Sequence, residues 1–178
     1  MLHAAVVIPI VLYDDPAVVF VRRAAHLRRN PSQIGFPGGV IDPTDRDARA
    51  AALREFEEEL GVPRERVQIV DRLDDVVTLA LSVTVAPYVG FLEPPLSFAF
   101  DPSETQSVHE IPLEALYEPG ALHQGIEPVE RGGVTYQVPT WLFDHGGIHI
   151  WGATARILHG LVTRYRSAGD LSGYLRAP

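Results

Sequence analysis

The chain has 178 residues, of which 46% are apolar and 21% charged, and it carries a net charge of -8. That is enough for one globular domain with a sizeable core, and the acidic balance argues against a nucleic-acid surface. The absence of cysteine excludes disulfides and thiol catalysis and suits a reducing cytoplasm.

The apolar runs are too short and too broken by Pro and charge to span a bilayer, and no signal peptide is expected. Residues 3–12 read as a buried strand interrupted by Pro9, Tyr13 to Pro16 as a turn, and Ala17 to Val21 as a second strand, which together make a hairpin. Next come Arg22, Arg23, Arg28 and Arg29, which make either a solvated basic loop or a phosphate clamp. Phe36-Pro37-Gly38-Gly39 follows, read as a turn whose glycines let backbone approach a neighbour closely.

The strongest signal is the stretch from Phe36 to Val62. A helix capped by Thr44 or Asp45 and stopped by Gly61 would put Leu53, Phe56 and Leu60 on an apolar face. Glu55, Glu58 and Glu59 share the other face. Like charges at that spacing cost a few tenths of a kcal/mol per pair, roughly 0.2–0.5. Arg54 is the one basic residue in the Glu-rich core from Arg54 to Val62. A hard divalent cation would turn this repulsion into binding, because Mg²⁺ and Mn²⁺ take carboxylate oxygens. The bland alternative is a solvated acidic face.

Beyond Gly61, strands are expected over 67–73, 76–81 and 82–91, the last with Pro87 at an edge or bulge. Residues 92–103 read as a loop, free to cover a ligand or to be a plain connection. Glu104 follows it, and His109 lies on a strand with a structural role. Residues 119–133 read as loop, 134–143 as strand and 144–147 as turn. A helix is expected from His149 to Tyr165, with Trp151, Ala155, Leu158 and Val162 at helical spacing, and a loose tail from Ser167. No repeat, linker or second domain is visible in 1–178, and this mix of strands and two helices suggests an α+β class.

Arg54-Glu55-Phe56-Glu57-Glu58-Glu59-Leu60-Gly61-Val62 resembles the second half of the Nudix box, the signature of hydrolases that cleave nucleoside diphosphates linked to another group. Gly39, five residues, Asp45, eight residues and Arg54 resemble its first half, with Asp in place of Glu and a spacer one residue longer. The block from Val19 to Gly39 is similar to the one preceding the box in coenzyme A diphosphatases. Arg23, Ala24, Arg28 and Phe36-Pro37-Gly38-Gly39 fit, as do the longer spacer and the DPTD tetrapeptide from Asp42 to Asp45. Val21, Asn30 and Ser32 depart from the usual Thr, His and Gly. The I-W-G-x-T-A run from Ile150 to Ala155 also resembles the final helix of that subfamily and of related Nudix proteins.

The resemblance implies the Nudix fold, a mixed sheet between helices. It implies hydrolysis of the coenzyme A diphosphate to 3',5'-ADP and 4'-phosphopantetheine, with Mg²⁺ or Mn²⁺ held by Glu55, Glu58 and Glu59. Arg54 would orient those carboxylates, Glu58 would serve the chemistry, Glu104 would be an extra metal ligand or the general base, with a plain exposed glutamate as the alternative, and Arg23, Arg28, Phe36, Gly38 and Gly39 would bind substrate. The partner is a small nucleotide; no nucleic acid or membrane is implied, and a homodimer stays open. The departures keep other substrates open (ADP-ribose, NADH or a nucleoside triphosphate), as well as a non-catalytic binding module of the same fold.

Overall fold

A computed structural model of the chain describes residues 2–27, 30–78 and 83–173. Four strands precede the first helix: β1 (Leu2–Val11), β2 (Ala17–Arg23), β3 (Ile34–Gly35) and β4 (Gly38–Val40). Helix α1 (Ala48–Leu60) follows, then β5 (Gln68–Arg72), β6 (Val76–Thr78), β7 (Val83–Leu92) and β8 (Thr105–Pro112). The chain continues with β9 (Leu122–Arg131), β10 (Val134–His145), β11 (Ile148–Trp151), α2 (Gly152–Arg164) and α3 (Ala168–Gly173). No described helix is long and apolar enough to cross a membrane.

Strands β1 to β8 form one mixed sheet, in which β1 and β7 run parallel and the other pairs are antiparallel. Strands β9 to β11 form a second, antiparallel sheet. Both faces of the mixed sheet are apolar, as the unbroken run Val6-Val7-Ile8-Pro9-Ile10-Val11 requires. On one face Ala5, Val7, Val19 and Val21 meet Phe56 and Leu60 of α1. On the other Ile8, Ile10, Phe20 and Phe91 join Phe143, Ile150, Leu158, Leu161 and Leu171 in one core. Phe56 is fully buried, and its truncation to Ala would cost about 3–5 kcal/mol.

The β1–β2 hairpin is paired only near its turn, Ile10 with Val18 and Val11 with Ala17. Beyond that the two strands part. The segment carrying β3 and β4 fills the gap, pairing first with β2 (Val21 with Gly35) and then with β1 (Val6 with Gly38). This splay explains two prolines in central strands. Val7 donates its N–H to the Pro37 carbonyl, so Pro9, two residues on, points its nitrogen to the same side, where the neighbour of β1 changes from β4 to β2. Pro87 occupies the equivalent break in β7, between its pairing with β6 at Val85 and with β5 at Tyr88. A missing donor costs nothing where there is no ladder partner. Pro87 therefore marks a central strand and not an edge, and Pro9 does not interrupt β1.

Four further expectations change. Residues 122–131 form a strand and not a loop; β9 is an edge, which tolerates Pro128. His149 to Trp151 belong to β11, and α2 starts at Gly152. The tail carries α3, whose Ala168 and Leu171 are buried. Leu96 and Phe98 of the 92–103 loop pack onto the core beside α1, and Ala99 N–H binds the Leu60 carbonyl, so this loop closes the end of the helix. Of the strand expected over 76–81, residues 79–81 lie outside the described residues.

Candidate active site

Helix α1 is capped by Asp47, whose carboxylate accepts from Ala50 N–H at 2.8 Å, and not by Thr44 or Asp45. The hydroxyl of Thr44 is taken by Asp42 at 2.7 Å, and the Asp45 carboxylate is taken by Arg54. At the other end Gly61 adopts φ +64° and returns its N–H to the Glu57 carbonyl, the left-handed stop expected.

The three glutamates project from one side of α1 into different surroundings. The Glu58 side chain is 54% exposed and that of Glu55 21%. Glu59 lies on the flank beside Phe56 and Leu60 and is only 7% exposed. Its carboxylate accepts from Gly38 N–H at 3.0 Å and stands 3.8 Å from Arg23 Nη1. Burial pushes its pKa up to about 7; the Gly38 bond and Arg23 oppose this, while the charges of Glu55 and Glu104 add to it.

The two glycines let β4 run against both β1 and α1. A Cβ on Gly38, at φ +155°, would stand 2.3 Å from the Ala5 carbonyl oxygen. A Cβ on Gly39 would stand 2.5 Å from the Glu55 carboxyl carbon. The expected turn is thus a strand that brings a bare backbone N–H to Glu59 and leaves room for Glu55.

Arg54 binds Asp45 with two parallel hydrogen bonds, and its Nη1 donates to Glu55 at 2.8 Å and Glu58 at 3.0 Å. These carboxylates, Asp45 first, hold Arg54 firmly charged, and Arg54 in turn keeps Asp45 below the usual carboxylate range. Asp45, read from the sequence as a possible cap, instead holds Arg54.

Glu104 reaches the same place from another element. Its carbonyl accepts from Ala24 N–H at 2.9 Å. An extra residue in β8, Gln106, sits at the step from Arg22 to Arg23, so that Thr105 stands opposite Arg23. Glu104 is exposed at the start of that strand. The structure thus gathers Arg23, Gly38, Gly39, Arg54, Glu55, Glu58, Glu59 and Glu104. His109 lies on a strand, β8, as expected; its Nε2 lies 2.9 Å from the Ser107 hydroxyl, and burial, then Arg22, lower its pKa.

Two expected residues, Phe36 and Arg22, fall elsewhere. Phe36 is buried and stacks on Phe20 with ring centroids 4.9 Å apart, so it supports the core and does not face a ligand. Arg22 points to the opposite face of β2 from Arg23, because successive strand residues alternate; the two do not form one clamp. Arg28 and Arg29 lie outside the described residues.

Among the described residues no cluster of three carboxylate or imidazole groups is already arranged around a metal position, because Glu55 and Glu58 are turned onto Arg54. The donor chemistry nonetheless fits a hard divalent cation: Glu59 is a buried carboxylate with one N–H donor, facing two further carboxylates and only a distant guanidinium. A cavity of about 460 Å³ between β6 and α2 has no residue of α1 in its walls.

The NUDIX domain model matches residues 1–131. A Photorhabdus laumondii protein, named as the uncharacterized Nudix hydrolase NudL, is 38% identical over 160 residues, covering 89% of this chain and 82% of its own. The Escherichia coli K12 protein of that name is 37% identical over 159 residues, with 89% and 80% covered. Among solved structures, a MutT/nudix family protein from Enterococcus faecalis superposes with a TM-score of 0.62 at 16% identity, covering 97% of this chain and 66% of its own. The NUDIX domain of Shewanella oneidensis NrtR, solved with ADP ribose, gives 0.51 at 19%, covering 64% and 73%. At these identities the structures share the α+β fold, a mixed sheet with helices on its faces.

Proposed function

The chain belongs to the Nudix family and is a hydrolase of phosphoric anhydrides, and from that premise we propose that it cleaves the diphosphate of coenzyme A or a coenzyme A derivative. The observation that carries the choice of substrate is Arg23. It is the residue of the upstream block that stands at the carboxylate site, 3.8 Å from Glu59, and the same block ends at Gly38 and Gly39, which line that site.

Glu55, Glu58 and Glu59 would hold Mg²⁺ or Mn²⁺, which when bound neutralises the diphosphate and acidifies water. The protein's own groups do the rest. Arg23 presents a guanidinium to the diphosphate oxygens. Asp45 fixes Arg54, and Arg54 positions Glu55 and Glu58. Glu104 takes a proton from the attacking water as a new P–O bond forms and the bridging P–O bond breaks. The products are 3',5'-ADP and 4'-phosphopantetheine. This reading takes residues 1–178 as one catalytic domain, since Phe143, Ile150 and Leu158 share a core with Ile8 and Phe20.

The test is a hydrolysis panel of coenzyme A, ADP-ribose, NADH and nucleoside triphosphates with Mg²⁺ and with Mn²⁺. Products are identified by mass spectrometry, with Glu58→Gln and Glu59→Gln as blanks. Preferred release of 3',5'-ADP from coenzyme A supports the proposal. Preference for another diphosphate keeps the reaction and discards the substrate. No turnover on any member would make the chain a binding module.

A further inference from the structure

A second cavity, of about 360 Å³, lies on the other side of β2 from the carboxylates. Its walls come from two places: Arg22, Ser32 and Gln33 beside β3, and Gly147, His149 and Trp151 from the turn before β11 and from β11 itself. It is thus a seam between the mixed sheet and the small sheet. The size lies within the range of small-ligand pockets, about 300–1,000 Å³.

Its chemistry is specific. Arg22 is half-buried and makes no ion pair with a described carboxylate; its Nη1 donates to the Ser32 carbonyl at 3.3 Å. In a chain with net charge -8, an arginine with donors to spare in a cavity is set to receive an anion. Trp151 is half-buried, and among the described residues its ring stacks on no other ring. His149 supplies a ring edge but no free donor, because Asp144 and Glu127 hold both of its nitrogens. Ser32, in the cavity wall, adopts φ +59°, a conformation that non-glycine residues rarely hold, and its carbonyl accepts from Arg22.

We propose that this cavity binds the phosphorylated nucleoside end of the substrate, with the base stacked on Trp151 and a phosphate on Arg22. The two sites are neighbours. Arg22 and Arg23 are consecutive, with Cα atoms about 3.8 Å apart, and Ile34 is four residues from Gly38, at most about 14 Å of extended chain. A ligand held at both would pass around the end of β2. The inference rests on the diphosphatase reading for the word substrate, but its test does not require turnover.

The experiment is calorimetric titration of the full chain, in EDTA, with AMP, adenosine 3',5'-bisphosphate, adenosine and inorganic phosphate. Both nucleotides bind more tightly than adenosine or phosphate alone. Arg22→Met weakens both nucleotides about tenfold or more and spares adenosine. Trp151→Leu weakens all three adenine ligands about 5- to 100-fold, and Trp151→Phe restores most of it. Photolabelling of the wild-type chain with 8-azido-AMP marks peptides 31–34 or 147–151. Equal nucleotide affinity in Arg22→Met with an unchanged thermal midpoint, or label confined to α1, overturns the proposal. Failure of every diphosphate in the hydrolysis panel while these effects persist overturns only the catalytic reading.

Discussion

Asp45 holds Arg54 by both carboxylate oxygens, with Nε at 3.0 Å from Oδ1 and Nη2 at 2.9 Å from Oδ2, across nine residues of chain. This leaves Nη1 alone for Glu55 and Glu58. Asp45→Asn breaks the paired geometry and lets Arg54 swing, so kcat falls about 10- to 100-fold and the Mg²⁺ needed for half-activation rises. Wild-type kcat and metal response in the variant would remove Asp45 from the site.

Gly38 and Gly39 should fail differently when changed to Ala. At Gly38 the new methyl meets the Ala5 backbone, at φ +155°, so the chain loses roughly 1–3 kcal/mol and about 5 °C of thermal midpoint. At Gly39 it meets the flexible end of Glu55, which can turn away. The midpoint there moves by less than about 2 °C while metal affinity drops about tenfold or more. Paired thermal and metal titrations distinguish the two.

Glu59 is a buried carboxylate facing Glu55 and Glu104. A charge so placed destabilises the metal-free fold. Glu59→Gln, which keeps an acceptor for Gly38 N–H, therefore raises the midpoint in chelator by about 5 °C and abolishes metal-dependent turnover. A lower midpoint would show that the charge is compensated.

If Glu104 accepts the proton, Glu104→Gln lowers kcat by about 10²–10⁴-fold and leaves KM nearly unchanged. A change in KM alone would make it a binding residue.

His149 gives a pH dependence. Its Nδ1 lies 2.6 Å from Asp144 and its Nε2 3.0 Å from Glu127, and the hydrogen bond to Asp144 above all raises its pKa. His123 Nε2 also lies 3.9 Å from Asp144 and competes for it. A raised folded pKa means that the stabilisation is full below the ordinary value of about 6.5 and is lost as pH rises through the folded value. The stability margin of wild type over His149→Gln is therefore larger near about pH 6 than near about pH 8.5. Equal margins from thermal melts at the two pH values would contradict this.

The sequence carried the carboxylate helix well, because Phe56, Leu60 and Gly61 each state their role locally. It was poorer where several residues compete for one role. The run DPTDRD offers four capping groups, and Asp47 wins only because Asp42 engages Thr44 and Arg54 engages Asp45. Gly125 and Pro128 hid β9, since nothing local says that an edge strand can carry them. Phe36 looked like a ligand contact through its glycine neighbours, yet its partner Phe20 lies sixteen positions back. The Arg22 and Trp151 cavity was invisible for the same reason: its walls meet only through tertiary packing.

The two prolines at the breaks in β1 and β7 also act as register stops. Sliding β1 by two residues would put Pro9 where Val7 now donates to the Pro37 carbonyl, and that bond would have no hydrogen. Sliding it by one would turn Val7 and Ile8 to the wrong faces. The alignment of β1 with β4 therefore has no cheap alternative. Gly38 is held at one height against the sheet, and the depth to which Glu59 can enter is set by a residue that takes no part in the chemistry.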